Sequence, residues 1–187
     1  VPALLVAQPA VEAQRRATDL PRIGFLSASS PGLGKVVVGE FRRGLREVGL
    51  VEGQSVVVEY RWAEGQQSRL PALADDLVRL HPDLIVAATS PSAVAAHRAT
   101  ASIPIVMVNV GDPVALGLAT SLARPGKNVT GLTSFALEMT GKQLSLLKEV
   151  VPEVKRIAVL YNPGHPWVAQ WLNDTEAAAR TLAVQLE

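Results

Sequence analysis

Short apolar runs alternate with helix-length segments along residues 21–187. The runs are rich in branched aliphatic residues and bounded by turn residues, which predicts β-strands, and the segments between them carry apolar residues at helical spacing. Because the strands are apolar on both faces, helices must cover both sides of the sheet, which predicts a parallel, doubly wound α/β fold. The predicted strands are residues 22–27, 55–62, 83–89, 103–110, 128–134 and 156–162. The predicted helices are residues 36–50, 68–80, 91–100, 113–123 and 137–151, with a last helix starting near Trp167.

Two similar strand openings, "RIGFLSAS" and "RIAVLYNP", predict two lobes of the same kind. We expect an N-terminal α/β lobe over residues 21–134 and the start of a second lobe over residues 135–187. After residue 162 there is room for one helix only, and one strand cannot close a core. The expectation is therefore an incomplete second lobe in a truncated product or a fragment.

The first twenty residues have a composition of their own. They are apolar and rich in small residues, and turn polar at Gln14, Arg15 and Arg16. This pattern is typical of the end of a secretory signal followed by a linker, and the alternative is an N-terminal helix or a frayed tail. The run is short and interrupted by prolines, so we expect no transmembrane helix.

Charge and composition exclude several classes of function. Lys and Arg total 18 against 17 acidic residues, and aromatic residues are only 4% of the chain, so we expect no nucleic-acid partner. The absence of cysteine excludes disulfides, thiolate metal sites and a cysteine nucleophile.

No pattern of catalytic or metal-ligating residues emerges. The glycines of residues 30–35 are too closely spaced for a phosphate-binding loop, and Val36 stands where Ser or Thr would reach magnesium. His81, His97 and His165 are scattered without metal-ligand spacing. We therefore expect a protein that is not an enzyme and uses no cofactor or metal.

Small and hydroxylic residues follow the predicted strands. In a parallel sheet, ligands bind beyond the carboxyl ends of the strands, where hydroxyl groups and free N–H groups of helix N-termini suit an electron-rich ligand. Taken singly, such residues are more often helix caps, as Asp112 before Pro113 can be. Taken together they predict a binding rim, which consists of Ser27, Ala28, Ser29, Thr89, Ser90, Gly111, Asp112, Thr133, Ser134 and Asn162.

Four segments, residues 41–65, 69–100, 103–134 and 141–163, resemble the ABC-transporter substrate-binding proteins of the tryptophan/tyrosine type. The parts "VEGQ…EYRWAEG" and "VGDPV…GL…SLARPG.NVTGL" are the most specific, and Lys127 replaces the second glycine of the usual Pro-Gly-Gly-Asn turn. The resemblance implies two Rossmann-like lobes that close on a small-molecule solute, with the rim residues at cleft positions. It also implies export to the periplasm or outer cell surface and transient contact with a membrane permease and its ATPase. Family members are usually about as long again in the second lobe.

Two alternatives stay open. One is a flavodoxin-like nucleotide- or flavin-binding enzyme or regulator, which would need Ser27–Ser30 to act as a phosphate-binding loop. The other is a non-functional chain that self-associates through an apolar edge around Ile157–Leu160.

Overall fold

The computed structural model describes residues 20–134, 139–164 and 168–187. Its larger sheet has five parallel strands in the order β2-β1-β3-β4-β5, which confirms the predicted parallel α/β fold. The strands are β1 (Arg22–Ser27), β2 (Val57–Trp62), β3 (Leu84–Ala87), β4 (Ile105–Val110) and β5 (Val129–Thr133). The helices connecting them are α1 (Lys35–Glu47), α2 (Leu70–Arg79) and α3 (Ser90–Ala99).

A smaller unit follows in the chain. It contains α4 (Thr140–Val150), β6 (Arg156–Ile157), α5 (Val168–Thr181) and β7 (Gln185–Leu186), with β6 and β7 paired in parallel. Its own apolar cluster is built around Leu144, Ala179 and Val184.

Neighbouring residues of β1 show why both faces of the larger sheet are covered. Phe25 and Leu26 are both fully buried but belong to different apolar clusters, because successive side chains of a strand point to opposite faces. Leu26 joins the cluster under α2 and α3, whereas Phe25 packs its ring 5.5 Å from Phe41 of α1. Each buried side chain of this size stabilises the fold by about 1.5 to 3 kcal/mol.

The strand order changes direction between β1 and β3. The chain adds β2 on one side of β1 and then adds β3 on the other side. The loops that leave β1 and β3 therefore run to opposite faces of the sheet. In open parallel α/β sheets, ligands bind at the carboxyl ends of the strands near such a change of direction.

The predicted helix over residues 113–123 is wrong. Residues 113–117 form consecutive turns that end at Gly117, whose φ is +69°. Pro113 and Leu118 anchor the segment, because both are buried and the N–H of Leu118 donates to the carbonyl of Pro113. The positive φ of Gly117 ends the turns before a helix can propagate.

The predicted strand over residues 156–162 is wrong beyond Ile157. A strand forms only where a partner lies beside it, and here β7, which the sequence did not indicate, pairs with two residues of it. The last hydrogen bond along this pair joins the N–H of Val159 to the carbonyl of Glu187, and Leu160 is fully exposed.

Some expectations lie outside the described residues. These include the signal interpretation, because residues 1–19 of its range 1–20 are not described, and the start of the helix expected at residue 137. Within the described ranges, no helix combines the length and the apolar character that a membrane span requires.

Candidate functional site

The carboxyl ends of β1, β3, β4 and β5 lie at one edge of the larger sheet, because these strands are all parallel. Nine of the ten predicted rim residues immediately end or follow these strands and are brought to this edge. They are Ser27, Ala28, Ser29, Thr89, Ser90, Gly111, Asp112, Thr133 and Ser134.

The tenth predicted residue, Asn162, belongs to the smaller unit. It is exposed, and its Oδ1 accepts the N–H of Gly164 at 2.9 Å, so its side chain closes a local turn. This turn lies near the larger unit, because a Cβ atom added to Gly164 would be 3.9 Å from Oε1 of Gln67.

Backbone hydrogen bonds fix the loop after β1. The carbonyls of Ser27, Ala28 and Ser29 accept N–H groups from residues 63–65 at 2.8 to 3.0 Å. The hydroxyl of Ser27 is buried and accepts the N–H of Ser29 at 3.2 Å. This hydroxyl therefore supports the loop, and the structure gives it no exposed surface for a ligand.

The loop after β3 begins α3 and touches the next strand. Thr89 is the N-cap of α3, and its Oγ1 accepts the N–H of Ser92 at 3.3 Å. Ser90 is buried, and its Oγ accepts the N–H of Gly111 at 3.1 Å. The ends of β3 and β4 are thereby joined through a side chain.

The loops after β4 and β5 are also tied together. Thr133 Oγ1 donates to the carbonyl of Val110 at 2.9 Å and contacts the carbonyl of Gly111, and the N–H of Ser134 donates to Val110 at 2.7 Å. Asp112 is exposed, and its Oδ1 accepts the N–H groups of Val114 at 2.8 Å and Ala115 at 3.1 Å. Asp112 therefore caps the turns after β4 while its carboxylate stays open to solvent.

A cavity of about 370 Å³ lies between this edge and helix α5. Of the predicted rim residues, only those that follow β4 and β5 line it. The residues after β1 and β3 do not. The lining consists of Gly111, Asp112, Pro113, Val114, Ala115, Leu122, Thr133, Ser134, Gln170 and Asp174.

Sequence reasoning missed both residues that α5 contributes to the cavity. Gln170 and Asp174 are one helical turn apart, and Gln170 Nε2 donates to Asp174 Oδ1 at 2.9 Å. Polar residues at this spacing look like any solvated helix face, so no signal in the sequence could have distinguished them.

Sequence reasoning also missed the irregular backbone at Asn109, which lies near the carboxyl end of β4 and does not line the cavity. Its φ is +54°, and the register of β4 with β5 shifts between Met107 and Val110, which marks a bulge. Left-handed residues and bulges cluster near functional sites. A glycine inside a strand often marks a bulge or a close approach of two backbones, so Gly131 of β5 was the sequence feature that could have indicated this bulge. A Cβ atom added to Gly131 would lie 2.0 Å from the carbonyl oxygen of Met107.

In the described part of the chain, no group of three or more His, Asp or Glu side chains could hold a metal ion. Two groups with shifted pKa values lie elsewhere, on α1 and β2. Burial raises the pKa of Tyr60, and the hydrogen bond to Glu52 raises the pKa of Arg42.

Comparison with known protein families shows to which family the chain belongs. The family model described as "ABC transporter substrate binding protein" matches residues 25–187. The chain belongs to this family of ABC transporter substrate-binding proteins. The flavodoxin-like alternative finds no support in these comparisons.

Individual relatives agree with the family. A Tyrosine-binding protein of Clostridioides difficile is 37% identical over 132 residues, covering 71% of this chain and 37% of the relative. A conserved domain protein from Vibrio cholerae has a TM-score of 0.82 and 30% identity, over 90% of this chain and 56% of that one. An ABC domain in complex with L-Trp from Streptococcus pneumonia has a TM-score of 0.79 and 28% identity over the same shares. This substrate-binding protein chain thus spans 37% to 56% of the length of these relatives.

Proposed function

We propose that the protein is the solute receptor of an ABC importer and binds a small molecule without transforming it. The observation that carries the proposal is the cavity between the carboxyl edge of the larger sheet and helix α5. Its volume of about 370 Å³ falls in the range of small-ligand pockets. Both units contribute to its walls, so a bound solute would contact both.

We infer an amino acid or a related compound as the solute. Two of the relatives are described as a Tyrosine-binding protein and as a complex with L-Trp. The cavity suits such a ligand because it combines apolar residues, such as Val114 and Leu122, with the hydroxyl-bearing Thr133 and Ser134.

The proposed domain organisation follows the two sheets. Residues 21–134 form the first lobe, residues 135–187 begin the second lobe, and residues 1–20 are the remainder of a signal and a linker. The separate apolar cluster around Leu144 supports the division, because each lobe of such a protein buries its own core. The signal implies a location in the periplasm or on the outer side of the cytoplasmic membrane, with a membrane permease as transient partner.

Capture would work by closure of the lobes on the solute. The rim loops are held by hydrogen bonds such as those from Gly111 to Ser90 and from Thr133 to Val110, so this side is already shaped for binding. The solute would add contacts to α5, which favours the closed arrangement.

Isothermal titration calorimetry tests the proposal. The 187-residue protein is titrated with the twenty amino acids and, separately, with FMN and nucleotides. Saturable 1:1 binding of at least one amino acid is expected. Binding of FMN or nucleotides alone, or of none of the panel, would contradict the receptor function.

A matched pair of variants locates the binding. Ala115→Trp fills the cavity from an exposed position and is expected to weaken binding by at least about 10-fold, since a bulky ring excludes the solute. Ala101→Trp makes the same change at an exposed position before β4, at the opposite edge of the sheet, and should leave binding unchanged.

A further inference from the structure

The two faces of the larger sheet are covered unequally over β3, β4 and β5. On the face under α2 and α3, the apolar side chains of these strands are buried, as Ile85, Met107 and Val129 show. On the opposite face, the side chains of the same strands are half-buried or exposed. They are Leu84, Val106, Val108, Thr130 and Leu132, and we call this surface the open face.

Strand register shows that these side chains share one face. Val106 of β4 pairs with Val86 of β3 and with Thr130 of β5. Residues two positions apart along a strand point to the same face, which adds the other three residues of the open face. Parallel sheets normally bury both faces under helices, yet Leu132 is 71% exposed.

One helix of the described residues packs on this face, and it leaves room for another. In the described ranges only α1 contributes a helix to the apolar cluster here, and its Phe41 lies against Phe25 of β1. β4 is two strands away from β1, which places it at about 10 Å, close to the distance between the axes of two packed helices. A second helix beside α1 would therefore lie over β4 and cover the open face.

The side of α1 that borders the open face is itself apolar. Lys35, Gly39 and Arg42 lie toward β2, since they line a cavity with residues of that strand. Val37 and Val48 lie on the opposite side of the helix, toward β3, and are 47% and 72% exposed. The groove between α1 and β5 thus combines an apolar wall with an apolar floor, which is typical of a docking surface.

We propose that the open face binds an amphipathic helix that belongs to polypeptide outside residues 1–187. Its aliphatic stripe packs on β4 and against α1. The six residues of β4 span about 20 Å, which matches about 13 residues of helix. The inference goes beyond the proposed receptor function, because no residue that lines the solute cavity belongs to the open face.

A second copy of this chain is a poor source of the helix. Glu40, Arg43 and Glu47 are exposed on the outward side of α1, where Arg43 forms ion pairs with both acids. The α1 of a second copy is covered by its own sheet on the other side, so it would bring these charges onto the open face. Burying charged groups against apolar strands costs free energy.

The family offers a source for the helix. This chain covers 56% of the length of two solved relatives, so each of them has much more further chain than the about 13 residues that the helix needs. A segment of such further chain meets the requirement if it carries aliphatic residues at helical spacing.

The test measures binding of two synthetic peptides to the 187-residue protein by fluorescence anisotropy. Both have about 16 residues, the same content of Leu, Ala, Lys and Glu and no net charge. One has leucine at the spacing of a single helical face, and the other has the same residues in scrambled order. The patterned peptide is expected to bind saturably, with one peptide per protein, and at least about 10-fold more tightly than the scrambled one.

Lysine variants assign the binding to the open face. Leu132→Lys on the floor and Val37→Lys on the wall change exposed side chains, and each is expected to weaken binding of the patterned peptide by at least about 10-fold. Val150→Lys is the matched control, because Val150 is 78% exposed on α4 of the smaller unit. It should leave binding unchanged. If one variant at the open face fails to fold, the other gives the result.

The remaining outcomes overturn the inference. They are equal binding of the two peptides, no binding of the patterned peptide, or binding that both lysine variants at the open face leave unchanged. Light scattering after size-exclusion chromatography tests the second copy. A monomer is expected, and a dimer that Leu132→Lys dissociates would show that a second copy covers this face and would also overturn the inference.

Discussion

The Oγ atom of Ser90 accepts the backbone N–H of Gly111 at 3.1 Å, and both residues are buried. This bond joins the first residue of α3 to the residue that follows β4. It fixes the spacing of two adjacent strand ends at the edge where the cavity lies, and it satisfies a backbone donor that has no access to water.

Ser90→Ala should lower the free energy of unfolding by about 1 to 3 kcal/mol, because the N–H of Gly111 would be buried without a partner. Urea denaturation measures the change. Ser68→Ala, at an exposed position, serves as control and should change the value by less than about 0.5 kcal/mol. Equal effects of the two substitutions would show that the Ser90 bond has no special role.

Gly131→Ala should destabilise the protein by about 3 kcal/mol or more, or prevent folding, because the φ of Gly131 is +137° and the new Cβ atom would meet the carbonyl of Met107. Gly39→Ala in α1 should do the opposite. No atom lies within 4 Å of its added Cβ atom, and alanine favours a helix by about 0.5 to 1 kcal/mol. Thermal denaturation of both variants checks the opposite signs, and a tolerated Gly131→Ala would contradict the close approach of β4 and β5.

Asn109→Val should cost about 1 to 2 kcal/mol, since a β-branched residue is strained at φ +54°, whereas Asn109→Gly should be neutral or slightly stabilising. The free energy of unfolding in urea measures both. Similar losses for the two variants would mean that the side chain of Asn109, and not its backbone conformation, matters for stability.

Tyr60→Phe should change how stability depends on alkaline pH. Burial raises the pKa of Tyr60 above its usual value of 10.0, so the folded protein holds this proton more tightly than the unfolded chain. The stabilisation is complete below pH 10 and is lost as the pH rises through the higher folded pKa. Unfolding in urea at pH 8 and pH 10.5 should show a larger loss for the wild type than for Tyr60→Phe, and identical losses would contradict the shift.

The sequence predicted the parallel sheet because its strands are short, apolar runs, of which residues 22–27 match β1 at both ends. Helical spacing predicted the position of α1 better than it predicted which side chains of α1 are buried. Helical spacing in residues 36–50 predicts a buried face of Val37, Phe41, Leu45 and Val48, of which Phe41 and Leu45 pack against the sheet together with Val38. Val37 and Val48 are 47% and 72% exposed. Periodicity locates a helix well, but a rotation of one residue changes which side chains it buries.

The candidate site was predicted only in part. Strand ends could be located from sequence, so the residues that follow β4 and β5 were identified. The hydroxyls of Ser27 and Thr89 were expected to face a ligand, but they serve their own loops. Whether a polar side chain at a strand end binds a ligand or caps a turn depends on backbone groups whose positions only the fold determines. The contribution of α5 depends on how two units meet, which local patterns do not encode.

Amide chemical-shift mapping by NMR tests the central claim most directly, because it shows where on the 187-residue chain the solute binds. Titration of the ¹⁵N-labelled protein with L-tyrosine, or with the amino acid that binds best in calorimetry, should shift the N–H signals of Gly111, Asp112, Ser134, Gln170 and Asp174 together. Saturable shifts confined to one of the two units, or located away from these residues, would contradict a solute held between the larger sheet and helix α5.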